Sequence, residues 1–354
     1  MPTIVAGRCD SYDVALLKAF FASALTALGC SFSGLKVLLK PNLLSGKAPP
    51  KAVNTHPLFV DALAQVFLDN GCTVFIGDSP GYESTERALE KSGIMAVAAA
   101  RGLHIAPFRR KVSKINAGVS PYREFFLGED PLDYDLVVNL PKLKSHVMMG
   151  ITAGVKNTFG FIPSLDKARW HLRCGRDTEL FAAVLIDIHT VVRPALTVLD
   201  GITIMDGDGP GSGRVRPGGL VALTDNAFCL DAFLERLLAA PLPLPISALA
   251  ARHGLLPDAR IVDWGIPDVP DFRFPGTMRV DWNLPSFVRQ TARHIMVRKP
   301  RCNQRKCTLC RTCVDVCPAA ALEIRDDRLR FDYTKCIRCY CCQEMCPTGA
   351  ITIG

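Results

Sequence analysis

The stretch Cys307-Thr308-Leu309-Cys310-Arg311-Thr312-Cys313-Val314-Asp315-Val316-Cys317-Pro318 has a second copy, Cys336-Ile337-Arg338-Cys339-Tyr340-Cys341-Cys342-Gln343-Glu344-Met345-Cys346-Pro347, with every ligand-type cysteine displaced by 29 residues. The same displacement pairs Ala321 with Ala350 and Ile324 with Ile353, so the segment is an internal duplication. Three thiolates at Cys-x2-Cys-x2-Cys spacing let one short loop wrap three irons of a cubane, and the fourth iron then needs a ligand from elsewhere. The proline after each fourth cysteine redirects the chain and removes a backbone donor. Most of the fifteen cysteines crowd into the last 53 residues at short, regular intervals. That distribution reads as metal ligation in a reducing compartment rather than as disulfides.

Residues 298–354 resemble the bacterial two-[4Fe-4S] ferredoxins, and both motifs match without gaps. The resemblance implies a small α+β domain in which the fourth cysteine of each run serves the other cluster. One cluster would take Cys307, Cys310, Cys313 and Cys346, and the other Cys336, Cys339, Cys342 and Cys317. This crossing would staple together a module too small to rely on its core. Cysteine quartets also build structural zinc sites, but the x2, x2, x3, Pro pattern given twice points to clusters. Cys341 aligns with the non-ligating Thr312 and reads as a spare cysteine. Cys302 falls outside the repeat, and Cys9, Cys30, Cys72, Cys174 and Cys229 read as inert, buried thiols.

The rest of the 354-residue chain, 49% hydrophobic overall, is long enough for one large domain, placed at 1–297. Short apolar runs at Leu35–Lys40, Cys72–Gly77, Asp135–Asn139 and Leu196–Asp200 suit strands buried on both faces. Helical patterns at His56–Asn70, Ser84–Ser92 and Thr178–Val192 lie between them. The alternation predicts an α/β domain with a mostly parallel sheet. A stretch rich in Pro, Gly and Asp at about 255–285 reads as a linker or surface wrap, followed by one more helix at Leu284–Val297.

No run reaches the length of a membrane span, since Lys18 interrupts the most apolar segment, Val14–Cys30. The opening Met1-Pro2-Thr3-Ile4 lacks the plan of a secretory signal, so a cytoplasmic address is expected. The formal charge of +8 falls to roughly +4 once two clusters are counted. The basic groups are not interleaved with exposed aromatics on any nucleic-acid motif, which argues against that class of partner.

Polar residues collect where the expected strands end. Lys40-Pro41-Asn42 follows the first, Gly77-Asp78-Ser79-Pro80-Gly81 the second, and Asn139-Leu140-Pro141-Lys142-Leu143-Lys144-Ser145-His146 the third. In open α/β sheets, ligands bind beyond the carboxyl ends of the strands. Lys40, Asn42, Asp78, Lys142, Lys144, His146 and Asn157 are therefore candidates for binding an organic or anionic ligand, carboxylate or phosphate. Lys156, Lys167 and His171 are candidate catalytic groups, and the last two share a helix face if Ser164–Arg173 is helical. The loop Asp206-Gly207-Asp208-Gly209-Pro210-Gly211-Ser212-Gly213 could bring backbone amides to a phosphate, but it lacks the Lys-Ser/Thr of a P-loop.

These words, together with Gly154-Val155-Lys156-Asn157-Thr158-Phe159-Gly160, are similar to domain-of-unknown-function family 362 across roughly residues 35–240. Members of that family are often fused to a ferredoxin module. The resemblance implies an iron-sulfur protein and assigns no reaction. Three functions are then open. The ferredoxin module could exchange single electrons with a ligand or cofactor in the large domain, as a ferredoxin-linked oxidoreductase would. It could instead be a non-enzymatic carrier docking a redox partner protein, or a factor that matures or reactivates another protein's metal centre. The charges at Arg298-Lys299-Pro300-Arg301 and Arg305-Lys306 could steer an acidic partner or offset the clusters.

Overall fold

The computed structural model describes residues 1–276 and 298–354; the helix expected at Leu284–Val297 lies outside them. The strands of the large domain are, in chain order, β1 (Thr3–Arg8), β2 (Lys36–Pro41), β3 (Thr73–Ile76), β4 (His104–Ile105), β5 (Val112–Ile115), β6 (Glu124–Leu127), β7 (Leu136–Leu140), β8 (Lys142–His146), β9 (Gly150–Thr152), β10 (Leu196–Asp206), β11 (Arg214–Thr224) and β12 (Arg260–Trp264). Ten of them make one sheet in the order β12-β1-β11-β10-β7-β2-β3-β4, with β8 on β10 and β9 on β8. The run from β4 to β10 is parallel. Antiparallel pairing enters where β10 meets β11 and β11 meets β1. Within the stretch expected as a linker, Arg260–Trp264 extends the sheet edge beside β1.

Alternation along the strands divides the core into layers. Val37 and Leu39 face a cluster built with helices Val14–Ala27 and Pro57–Asp69, while Leu38 and Val137 face the opposite cluster around helix Thr178–Val192. That last helix starts where expected because Asp177 accepts the backbone N–H groups of Glu179 and Leu180, satisfying donors that a helix start leaves free. Helix Thr85–Ser92 is capped by Ser84 and ends at Gly93, whose φ of 81° favours glycine.

The C-terminal module shows its duplication in the backbone. Helices Thr312–Asp315 and Cys341–Glu344 occupy equivalent positions, and the residues flanking the second cysteine of each run have positive φ, 54° and 65° at Leu309 and Arg311, 57° and 61° at Arg338 and Tyr340. Strands Pro300–Cys302 and Ile351–Ile353 pair at one end, and Leu322–Arg325 with Arg328–Phe331 forms a hairpin. Tyr340 and Ile353 are buried in the same apolar cluster as helix Thr178–Val192. The module is thus docked on the large domain through buried apolar contacts.

Candidate functional site

The thiols of the two expected quartets lie within electrostatic reach of one another. The Cys313 thiol interacts electrostatically with those of Cys307, Cys310 and Cys346, and Cys342 with those of Cys336, Cys339 and Cys317. Cys342 also senses Cys313, so the two cradles are neighbours. Ala321 donates its N–H to the Cys317 sulfur at 3.3 Å, and its repeat partner Ala350 does the same to Cys346 at 3.2 Å. Such bonds stabilise thiolate charge and tune a bound cluster. The cradles differ in exposure: Cys310 of the first is exposed, whereas Cys336, Cys339 and Cys342 of the second are buried.

The second cradle lies against a cleft of about 740 Å³, mouth included, at the carboxyl ends of β2 and β3. The large domain contributes Asn42, Asp78, Lys156, Asn157, Lys167 and His171 to its wall, and the ferredoxin module contributes Val316, Cys341, Glu344 and Met345. Val316 and Met345 are equivalent by the duplication, so both halves of the module present the residue after their short helix to the cleft. Lys156 lies over the Phe159 ring at 5.9 Å, and its ammonium makes no hydrogen bond or ion pair with any described residue. Burial lowers its pKa, with Glu344 opposing. Lys167 donates to the Ser79 carbonyl. Burial drives its pKa down to about 7, Lys40 and Lys156 adding repulsion against the pull of Asp78. Burial also lowers His171 to about 4, leaving a neutral imidazole whose Nδ1 has no partner among the described residues.

Glu344 is the residue that sequence reasoning missed. Burial opposes its ionisation, but His146, Lys156 and His171 outweigh this and hold its pKa at about 2. His146 lies outside the cleft lining, with Nε2 3.1 Å from Glu344 Oε1. Its Nδ1 accepts the N–H groups of Met148 and Met149 at 3.1 and 3.2 Å, which assigns the ring proton to Nε2, facing the carboxylate. His146 is thereby a bridge between domains. Cys341, outside both quartets, is a wall of the cleft.

Three of the candidate lysines are taken up by the protein itself. Lys40 pairs with Asp78 at 2.8 Å, both buried, and Asp78 also accepts the N–H groups of Leu43 and Ser79 at 2.8 Å. Lys142 turns away to Asp200 at 2.8 Å and the Tyr12 hydroxyl at 2.7 Å. Lys144 donates to Asn42 Oδ1 and the Val53 carbonyl, both at 2.6 Å. Asn42 in turn donates to Asn157 at 3.0 Å and Asn157 to Asn139 at 2.8 Å, so these amides orient one another and fix the loops. Lys142 and Lys144 therefore do not join Lys156 in lining one cavity.

The glycine-rich loop packs against the ferredoxin module. Asp208 accepts a hydrogen bond from Gln343 Nε2 at 2.6 Å through its carbonyl, and Gly211 lies so close to the Glu344 backbone that a Cβ would sit 2.5 Å from its oxygen. Asp206 is bound by Arg214 at 2.7 Å.

An α/β domain with a ferredoxin module docked over its strand ends defines an iron-sulfur, electron-transferring class of protein. Residues 37–235 match the family described as domain of unknown function DUF362, and residues 295–350 match a 4Fe-4S dicluster domain. The chain belongs to the DUF362 family and carries the dicluster domain that binds its two [4Fe-4S] clusters. It is 34% identical over 309 residues to the thylakoid-associated protein sll1697 of Synechocystis sp., covering 82% of this chain and 94% of that protein. Among solved structures it is similar to the lactate racemase apoprotein from Thermoanaerobacterium thermosaccharolyticum, with a TM-score of 0.39, 12% identity, and coverage of 61% of this chain and 53% of that one. A Thermotoga maritima protein gives a TM-score of 0.38 at 12% identity, covering 69% and 60%. Among the described residues no helix is long and apolar enough to cross a membrane.

Proposed function

We propose that the protein is a ferredoxin-linked oxidoreductase whose cleft holds an anionic small molecule at the buried end of the ferredoxin module. The observation that carries this reading is Lys156, the cleft-lining ammonium without a hydrogen bond or ion pair among described residues, in a wall shared with Cys341 and Glu344. An unpaired ammonium in a site of low polarity is costly, and an anion there relieves the cost. Bound clusters supply one-electron transfer. The chain's own residues do the rest: Lys156 anchors the anion, His171 offers a neutral ring nitrogen, and Lys167, titrating near neutrality, exchanges a proton as charge on the ligand changes. Leu43, Leu44, Phe159 and Met345 exclude water around them. This chemistry needs a reducing compartment, and the cytoplasm is the one we favour.

Native mass spectrometry of the anaerobically purified protein tests the reading. An acidic small molecule should be retained by the wild type and lost in Lys156→Met, with both clusters kept. A cleft that retains nothing in either, and clusters that exchange electrons only with a stably bound protein, would support the carrier or maturation role instead.

A further inference from the structure

The segment from 298 to 314 carries six basic residues, Arg298, Lys299, Arg301, Arg305, Lys306 and Arg311, and no acidic one. All six are exposed, and among the described residues none is in an ion pair. The backbone and neutral groups hold the segment in place: the Arg298 carbonyl accepts from the Tyr340 hydroxyl at 2.8 Å, the Pro300 carbonyl from Tyr333 at 2.8 Å, and Gln304 Nε2 donates to the Leu329 carbonyl at 3.0 Å. The side chains of Arg305, Lys306 and Arg311 stand beside the exposed Cys310 of the first cradle, whereas Lys299 lies over the Tyr333 ring at 5.0 Å and Arg298 against Gly276.

Offsetting cluster charge does not account for all of them. The two cradles are duplicates and would hold clusters of equal charge, so a neutralising role calls for the same cations in both copies. Displacement by 29 residues keeps a cation for Lys299, Arg301 and Lys306, as Arg328, Arg330 and Lys335, but converts Arg298, Arg305 and Arg311 into Asp327, Thr334 and Tyr340. The cations are thinned in the copy that faces the large domain, where Tyr340 is buried in its core. Beside the exposed cradle, Arg305 and Arg311 therefore have no cationic counterpart in the repeat.

We propose that this face is the docking surface for an acidic one-electron carrier protein, which delivers electrons at the exposed cradle. The donor is oxidised by one electron and the ferredoxin module reduced by one, with no proton required. The inference stands whether or not the cleft binds an anion, because it concerns Arg305, Lys306 and Arg311, none of which lines the cleft. A protein is favoured over an anionic membrane because Arg305, Lys306 and Arg311 flank a near-surface redox site, and contact there is useful only to something that gives or takes an electron.

The test uses the holoprotein and a reduced acidic flavodoxin. Wild-type reduction, followed by stopped-flow absorbance, should slow as ionic strength rises. In Arg305→Glu/Lys306→Glu/Arg311→Glu it should be about tenfold slower or more at low salt and lose its salt dependence, within the range known for electrostatic steering. The triple Gln variant should fall between the two. Iron and sulfide content and the spectrum of the reduced clusters report whether the cradle is intact, and the affinity for oxidised flavodoxin should fall in parallel. Equal rates in wild type and the charge-reversed variant, or a salt-independent wild-type rate, would overturn the proposal. So would binding to phosphatidylglycerol vesicles that exceeds binding to flavodoxin, which would assign the face to a membrane.

Discussion

Substituting Gly211 tests whether the ferredoxin module is fixed over the cleft. An alanine Cβ there would lie 2.5 Å from the Glu344 carbonyl oxygen, 3.3 Å from its carbonyl carbon and 3.4 Å from its Cα. All three are backbone atoms of the helix Cys341–Glu344, so no side-chain rotation relieves the contact. Reaching ordinary separation requires a shift of about 1 Å, and overpacking of this kind costs roughly 1–3 kcal/mol. The shift also strains the His146–Glu344 contact of 3.1 Å and the Gln343 to Asp208 bond of 2.6 Å, the latter at about 0.5–1.5 kcal/mol for the lost hydrogen bond. The interface as a whole survives, because Tyr340 and Ile353 stay anchored in the large domain and Arg176 still donates to the Cys336 carbonyl at 2.9 Å. Gly211→Ala should therefore loosen one edge of the docking without releasing the module. Anaerobic hydrogen–deuterium exchange read by mass spectrometry should show faster exchange in 206–213 and 341–345, with iron content unchanged. Gly81→Ala is the matched control, since its Cβ would meet the flexible Met345 Sδ at 2.5 Å, which can swing aside. Unchanged exchange in both segments of Gly211→Ala, or an equal response to Gly81→Ala, would refute the argument.

Two further outcomes follow from buried charge. Asp78→Ala leaves Lys40 fully buried without its carboxylate and should cost about 3–5 kcal/mol in urea denaturation of the holoprotein, while Lys40→Met/Asp78→Leu should recover most of the loss; a single-variant cost under about 1 kcal/mol would contradict the pairing. Lys167, lowered from 10.5 to about 7 in the folded protein, binds fewer protons there than when unfolded between those values, so its contribution to stability rises with pH across that window. Lys167→Met should accordingly be more stable than wild type below about pH 7 and lose that advantage as pH climbs towards 10.5, and an advantage independent of pH would show that the ammonium is not the cause.

Much of the architecture was legible because local signals agreed with the fold. Asp177 and Gly93 are caps whose chemistry does not depend on distant residues, and the apolar runs at β2 and β7 are buried on both faces as their composition implied, whereas β3 leaves Thr73 exposed and Phe75 half-buried on one face. The long β10–β11 hairpin was less visible. Asp200-Gly201 read as the end of a strand, yet β10 continues to Asp206 past an irregularity between Gly201 and Thr203. Glycine there permits the close approach of Leu220, whose carbonyl oxygen would be 2.8 Å from a Cβ.

At the cleft, sequence showed which lysines follow strands but not which would remain available. A buried ammonium is expensive unless paired, and the partners come from far along the chain: Asp78 for Lys40, Asp200 for Lys142, Asn42 for Lys144. Those pairings depend on strand order, which periodicity does not encode. Glu344 was hidden for a different reason. The repeat aligns it with Asp315, which is exposed and accepts only a bond from the Tyr82 hydroxyl at 3.1 Å. Equivalent positions in the two halves thus meet different parts of the large domain, and the asymmetry arises from docking, not from either copy's own sequence. The same docking gives Lys156 a carboxylate near enough to be felt electrostatically, though not in an ion pair. That combination explains how one lysine among similar neighbours can lack an ion pair among the described residues: its charge is partly balanced from across the domain boundary.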